Sequence, residues 1–119
     1  MSTTSLWLKE PHDGLPRSRF EGRPDVAVIG GGVTGCSCAL TLAECGVRVR
    51  LYEAREIAGG ASGRNGGFAL RGATTPYDEA QRELGDERAR LLMELTERSL
   101  DRMEKLAGEA FRRVGSLRL

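Results

Sequence analysis

The chain has 119 residues, room for one domain, and sets 18 Lys+Arg against 17 Asp+Glu for a net charge of +1, so no bulk attraction draws it to nucleic acid or to an anionic membrane surface. Aromatic residues make up only 5%, too few to furnish an independent substrate pocket, whereas 16 glycines ask for an explanation in backbone geometry. Cys36, Cys38 and Cys45 stand in no metal-ligand spacing and suit a reducing compartment, which points to the cytoplasm.

Residues 1–24 read as an irregular leader. Met1 to Lys9 has no basic region followed by a long apolar core and no twin-arginine pair, so it does not read as an export signal; His12, the single histidine, takes no role. Val26, Ala27, Val28 and Ile29 form a short uncharged run rich in β-branched residues, which predicts a central parallel strand buried on both faces. Glycines follow at chosen offsets. Gly30 suits a tight turn out of the strand, Gly32 lets the backbone approach a pyrophosphate, and Gly35 lets the next helix pack close to the sheet. Thr34 to Glu44 supplies that helix, with Ala39, Leu40, Leu42 and Ala43 toward the sheet and Gly46 as its stop. Its first-turn N–H groups and positive dipole end would receive the pyrophosphate.

The cysteines of this helix read as small hydrophobes packed between helix and sheet, with a reactive Cys36 thiol the weaker alternative. The stretch from Val26 to Cys45 carries almost no charge and is about long enough to span a bilayer. Three adjacent glycines, Glu44 and the lack of a flanking basic cluster or aromatic belt argue against a membrane helix there.

A second strand is predicted over Val47 to Glu53, alternating Val47, Val49 and Leu51 with Arg48 and Arg50 and delivering a carboxylate at its C-terminal end. Glu53 lies about 20 residues beyond the glycines, where a dinucleotide-binding fold places an acid on the adenosine ribose. An acid there repels a 2′-phosphate, which disfavours NADP despite nearby Arg50 and Arg55. Strand, turn, helix, strand and acid in order make a dinucleotide site the leading reading; a glycine-rich turn in an unrelated α/β protein is the weaker one.

Next comes Gly59-Gly60-Ala61-Ser62-Gly63-Arg64-Asn65-Gly66-Gly67. Small residues allow close approach to a ligand and left-handed turns that gather N–H groups around an anion, while Arg64, Ser62 and Asn65 add a cation and hydrogen bonds. By composition alone this is equally a flexible linker. Its position after the Glu53 strand, at the same carboxyl edge as the first glycine turn, favours a ligand role.

From 73 onward the chain turns polar and helical. Asp78 to Leu84 predicts a short helix ended by Gly85, and Asp86 is expected to cap a longer one reaching about Ala107. Ala89, Leu92, Leu95, Ser99, Met103, Leu106 and Ala110 form its predicted packing stripe, with Glu94, Arg98, Arg102 and Lys105 on a solvated face.

Val26 to Gly35, then Gly46 to Val49 with Tyr52-Glu53-Ala54, then Gly60 to Gly67, resemble the N-terminal part of the FAD-dependent D-amino-acid oxidase/glycine oxidase family. Within it the likeness is strongest to the bacterial branch that includes gamma-glutamylputrescine oxidase, whose members often carry a G-A-S-G-R-N-G-G stretch and a leader with a Trp-Leu pair like Trp7-Leu8. The resemblance implies that Gly30, Gly32 and Gly35 bind the FAD pyrophosphate, with Val33 and Thr34 offering N–H groups, and that Glu53 holds the ribose. It places Ala54 and Arg55 by the adenosine. Ala61, Ser62, Arg64, Asn65, Gly66 and Gly67 would line the path toward the flavin. It also implies oxidation of an amine or amino acid to an imine, and it makes Val114 to Leu119 the opening of a substrate-domain strand.

The expected fold is therefore α/β: an incomplete Rossmann-like FAD-binding βαβ unit over 25–72, followed by a helical excursion over 73–119. No catalytic residue and no metal ligand is expected within these positions, and the isolated chain should be marginally folded and lack turnover. The partner is a small-molecule amine or amino acid, not nucleic acid or membrane, and oligomeric state is open. Two other readings stand: an NAD-linked dehydrogenase, and a non-catalytic nucleotide-binding module or subunit.

Overall fold

A computed structural model describes residues 4–10, 22–72 and 74–115, which divide into two compact units, Met1–Gly66 and Gly67–Leu119. His12 lies outside the described residues.

The first unit is a βαβ crossover. Strand β1 (Val26–Ile29) leads through the glycine turn into helix α1 (Val33–Glu44), and β2 (Val49–Tyr52) returns parallel to β1 with Val26 opposite Val49 and Ile29 opposite Tyr52. Helix α1 ends as Gly46 dictates. With φ at +79° Gly46 takes the left-handed position, its N–H reaching Ala43 O at 2.9 Å while the Val47 N–H reaches Leu42 O at 3.0 Å. That pair of bonds satisfies the last carbonyls and reverses the chain toward β2. It also shortens the predicted second strand, because Val47 belongs to the helix cap. At the other end Arg48 grips Asp25 through two guanidinium bonds of 2.9 and 2.7 Å, and Arg48 O accepts from Asp25 N–H at 2.8 Å. The starts of both strands are pinned together.

The expectation of a strand buried on both faces is not met. Val26 and Val28 are half-buried, Val28 on the side that α1 covers, but Ile29 on the opposite face is 80% exposed and Ala27 is exposed too. Among the described residues the sheet has two strands, so β1 has a neighbour along one edge only. The cysteines depart similarly. Cys36 is half-buried, whereas Cys38 and Cys45 are exposed, because no second layer among the described residues covers their side of α1.

In the second unit α2 (Tyr77–Leu84) and α3 (Asp86–Ala107) join through Gly85, whose φ of +81° closes one helix and opens the next. Gly85 is thus the N-cap of α3. Asp86 is its first residue and its carboxylate accepts from Gln81 Nε2 at 2.7 Å, so the predicted Asp86 cap shifts by one. The two helices meet at Ala80 and Ala89, both fully buried, and small residues there let the backbones approach. Among the described residues the predicted stripe is fully covered at Ala89, Leu92 and Ser99 are half-buried, and Leu95 and Leu106 are 56% and 60% exposed. Phe111 to Gly115 carries no strand, and 116–119 of the predicted substrate-domain strand lies outside the described residues. No helix among the described residues is long and apolar enough to cross a membrane.

Ala80 and Ala89 are the buried apolar residues among those described, and none of the larger side chains is fully enclosed. Hydrophobic burial is the main favourable contribution to folding, so the isolated 119-residue chain is expected to melt broadly in calorimetry, well below the typical enthalpy of about 0.7 kcal/mol per residue. A sharp two-state transition of full enthalpy would contradict this.

Candidate functional site

The site grows from the end of β1. The Gly30 N–H bonds Tyr52 O at 2.8 Å, carrying the sheet one residue past the strand, and its φ of +102° then turns the chain sharply. Gly35 sits where α1 crosses this turn. A Cβ on Gly35 would stand 1.9 Å from Gly30 O and 3.5 Å from Val28 Cγ1, so the helix lies against the turn as closely as a backbone can. Gly32 differs: a Cβ there would meet Ser62 Oγ at 3.2 Å.

Gly31, to which the sequence reading gave no role, holds the site together. It is buried; its N–H bonds Glu53 Oε2 at 2.7 Å, and its carbonyl accepts from Ala58 N–H at 2.9 Å and from Cys36 Sγ at 3.5 Å. A Cβ on it would fall 2.4 Å from Ile57 Cδ1 and 3.1 Å from Glu53 Cβ. The middle glycine of a G-G-G run carries no mark of this in sequence. Its requirement comes from the Ile57–Gly60 turn folding back across it, with Ala58 held at a φ of +59°.

Glu53 stands just beyond β2 and is gripped by both oxygens: Oε2 by Gly31 and Oε1 by the Arg55 N–H at 2.9 Å. Those two backbone bonds, Gly31's first, hold its carboxyl below the ordinary glutamate range, helped by the charge of Arg55. The result is a fixed, ionised acceptor pair at the carboxyl edge of the sheet. Each oxygen retains lone-pair capacity, the pattern a vicinal diol can meet. Ala54 and Arg55 follow it on the surface.

Across the turn, α1 begins with Val33 and Thr34, both exposed. The first helical bond runs from Cys36 N–H to Gly32 O, so the N–H groups of Val33, Thr34 and Gly35 have no acceptor within the helix. Val33's goes to Ser62 Oγ at 2.9 Å, which ties the second glycine loop to the helix start. Asn65 Nδ2 in turn bonds Ser62 O at 2.6 Å, closing the loop around the short 3-10 helix Ala61–Gly63. Gly30, Gly32, Val33, Gly35, Glu53 and Ser62 are thereby brought together. Ala61, Arg64, Asn65 and Gly66 sit exposed on the same loop. Gly67 opens the second unit, with φ at +72°.

This constellation offers a glycine-walled helix start whose N–H groups can face an anion and a fixed carboxylate that can accept from hydroxyls. Its donors and acceptors fit a dinucleotide. The second unit holds a cavity of about 610 Å³ lined by Tyr77, Met93, Arg71, Arg90, Glu94 and Glu97, but there Arg71 pairs with Glu97 and Arg90 with Glu94, leaving balanced charge.

Comparison with known proteins bears on the same residues. A family model described as FAD dependent oxidoreductase matches residues 25–119. The chain is similar to the gamma-glutamylputrescine oxidoreductase of Escherichia coli (strain K12), 47% identical over 68 residues, 57% of this chain and 16% of that protein. It is also similar to a probable oxidoreductase OrdL of Rhizobium meliloti, 43% identical over 83 residues, 70% of this chain and 19% of that protein. A shorter stretch of 41 residues, 34% of this chain and 7% of the relative, is 56% identical to the glycerol-3-phosphate dehydrogenase of Mycobacterium leprae. The chain thus spans less than a fifth of the length of these relatives. No solved structure matches.

Proposed function

The chain belongs to the FAD-dependent oxidoreductase family, and on that premise we propose that its first unit holds the adenosine–pyrophosphate part of FAD for an enzyme that oxidises an amine or amino acid. The observation that carries the cofactor assignment is the Glu53 carboxylate, ionised and tied to the Gly31 N–H directly beside the first turn of α1. Glu53 would accept the ribose hydroxyls, with Ala54 and Arg55 beside the adenosine. Gly30, Gly32 and Gly35 would admit the pyrophosphate to the N–H groups of Thr34 and of Val33, the latter exchanging Ser62 Oγ for a phosphate oxygen. Ala61, Ser62, Arg64, Asn65, Gly66 and Gly67 would line the way to the isoalloxazine. When bound, FAD supplies the two-electron sink for removing a hydride equivalent from the carbon beside the amine, and water hydrolyses the resulting imine. These residues bind and orient.

Support for an amine comes from the name of the Escherichia coli relative, and the glycerol-3-phosphate dehydrogenase shows that similarity over such a segment crosses substrate classes. In this reading 1–24 is a leader, 25–72 the cofactor unit and 73–119 a helical excursion toward a substrate domain, in a protein of the cytoplasm, where its three free cysteines stay reduced. The FAD dependence of the family weighs against the NAD-linked alternative. The test is anaerobic addition of amines, amino acids and glycerol phosphates to the flavin-loaded protein carrying its substrate domain. Bleaching of the visible flavin bands by an amine or amino acid is expected; bleaching by a polyol phosphate alone would overturn the substrate assignment.

A further inference from the structure

A short 3-10 helix at Leu6–Leu8, far ahead of β1 in sequence, lies against the second glycine loop. Trp7 Nε1 donates to Asn65 O at 2.9 Å. Leu8 packs over Gly63: a Cβ placed on that buried glycine would be 2.7 Å from Leu8 Cδ2 on one side and 2.5 Å from Ala58 O on the other. Gly63 is therefore a glycine because two segments close on it, not because the loop must flex. From Asn65 the connection continues inward, through its Nδ2 to Ser62 O and through Ser62 Oγ to the Val33 N–H that opens α1. Trp7 is 45% exposed, so burial alone does not account for where its ring is held; the hydrogen bond aims it.

We propose that Trp7 and Leu8 are positioning residues: they strap the Gly60–Gly66 loop so that Ser62 and Asn65 stand in place before the cofactor arrives. The inference rests on the FAD reading of that loop. A loop of small residues has many conformations, and holding one of them in advance lowers the entropy cost of binding. Trp7 contributes direction through a single N–H; Leu8 contributes the surface on which Gly63 seats.

The test uses the flavin-loaded protein, stripped and titrated with FAD. Trp7→Phe keeps ring bulk and removes the donor, whereas Trp7→His puts its Nε2 at nearly the same reach from Cβ as the indole nitrogen. A single neutral hydrogen bond sets the expectation that Trp7→Phe raises the FAD dissociation constant by about 3- to 10-fold, with Trp7→His recovering most of it and the far-UV circular dichroism of the apoprotein unchanged. Leu8→Ala is expected to weaken binding at least as much, with a shifted visible band shape for the bound flavin. FAD affinity in Trp7→Phe equal to wild type overturns the proposal, as does Trp7→His binding no better than Trp7→Phe. Loss of secondary structure in Trp7→Phe overturns it too, because the segment would then determine the fold rather than the loop. Failure of the unaltered protein to bind FAD at all would instead sink the cofactor reading.

Discussion

Replacing Gly35 by alanine is expected to abolish FAD retention and to loosen the whole strand–turn–helix unit. The added methyl would stand 1.9 Å from Gly30 O and 3.1 Å from Gly30 C, both backbone atoms with no rotamer to escape into. The turn must move, and moving it drags the Gly30 N–H from Tyr52 O and the Gly31 N–H from Glu53. Overpacking costs typically about 1–3 kcal/mol where side chains can yield, so a clash with main chain belongs at or above the upper end of that range. FAD affinity should fall more than about 100-fold. Gly32→Ala is the informative companion. Its methyl would meet Ser62 Oγ at 3.2 Å, so denaturant midpoints should stay near wild type while binding weakens. Flavin content after purification and urea unfolding separate the two. Wild-type flavin content in Gly35→Ala would show that the turn is not where the cofactor lies.

Glu53→Gln is expected to weaken FAD binding by about 10- to 100-fold, the range for losing a charge-assisted bond such as the one proposed to the ribose. The amide also turns one donor toward a backbone N–H, either Gly31's or Arg55's, so one of two existing bonds is lost. The pH dependence has a definite sign. The folded-state pKa of Glu53 is depressed, so its contribution is fully present above the ordinary glutamate value and disappears as pH falls through the lower, folded value. Acid titration followed by circular dichroism should show wild type losing stability in that window below the usual carboxylate range, with Glu53→Gln flatter across it. Identical acid profiles for the two proteins would mean that the Gly31 and Arg55 bonds do not hold the carboxylate in solution.

Much of the first unit was legible in the chain because its requirements are local. Four β-branched and small residues, Val26 to Ile29, mark the strand as observed, and Gly46 marks the helix stop because a left-handed residue is needed there. What escaped depends on segments distant in sequence. Gly31 is special through Ile57, Glu53 and Ala58; Gly63 is special through Leu8; neither partner is at a periodic spacing. Burial failed for a different reason. An apolar run states that a strand can be covered on both faces, but covering Ile29 takes a second layer that the described residues do not provide. Likewise the stripe from Ala89 to Ala110 states an amphipathic helix, and α2 is only long enough to cover its first turns. Gly30, Gly32, Gly35 and Glu53 converge on the turn and were readable because each residue type answers a local backbone or charge requirement; in the second loop Ser62, Arg64 and Asn65 were readable by residue type and position, but the Ser62 bond to Val33 that docks the loop was not.

The Gly46 reversal after α1 also bears on the order of assembly. Because the helix is stopped and turned within two residues, β1, α1 and β2 occupy one uninterrupted stretch from Val26 to Tyr52, and the parallel pairing closes a loop no longer than the crossover itself. Closure entropy grows with loop length and is paid before non-local contacts form, so this arrangement favours early nucleation. On a ribosome, Glu53 can reach Gly31 as soon as it emerges, well before the later glycine loop can dock on the helix start. The Glu53 end of the site is then a candidate folding nucleus, and the Ser62 end a late arrival.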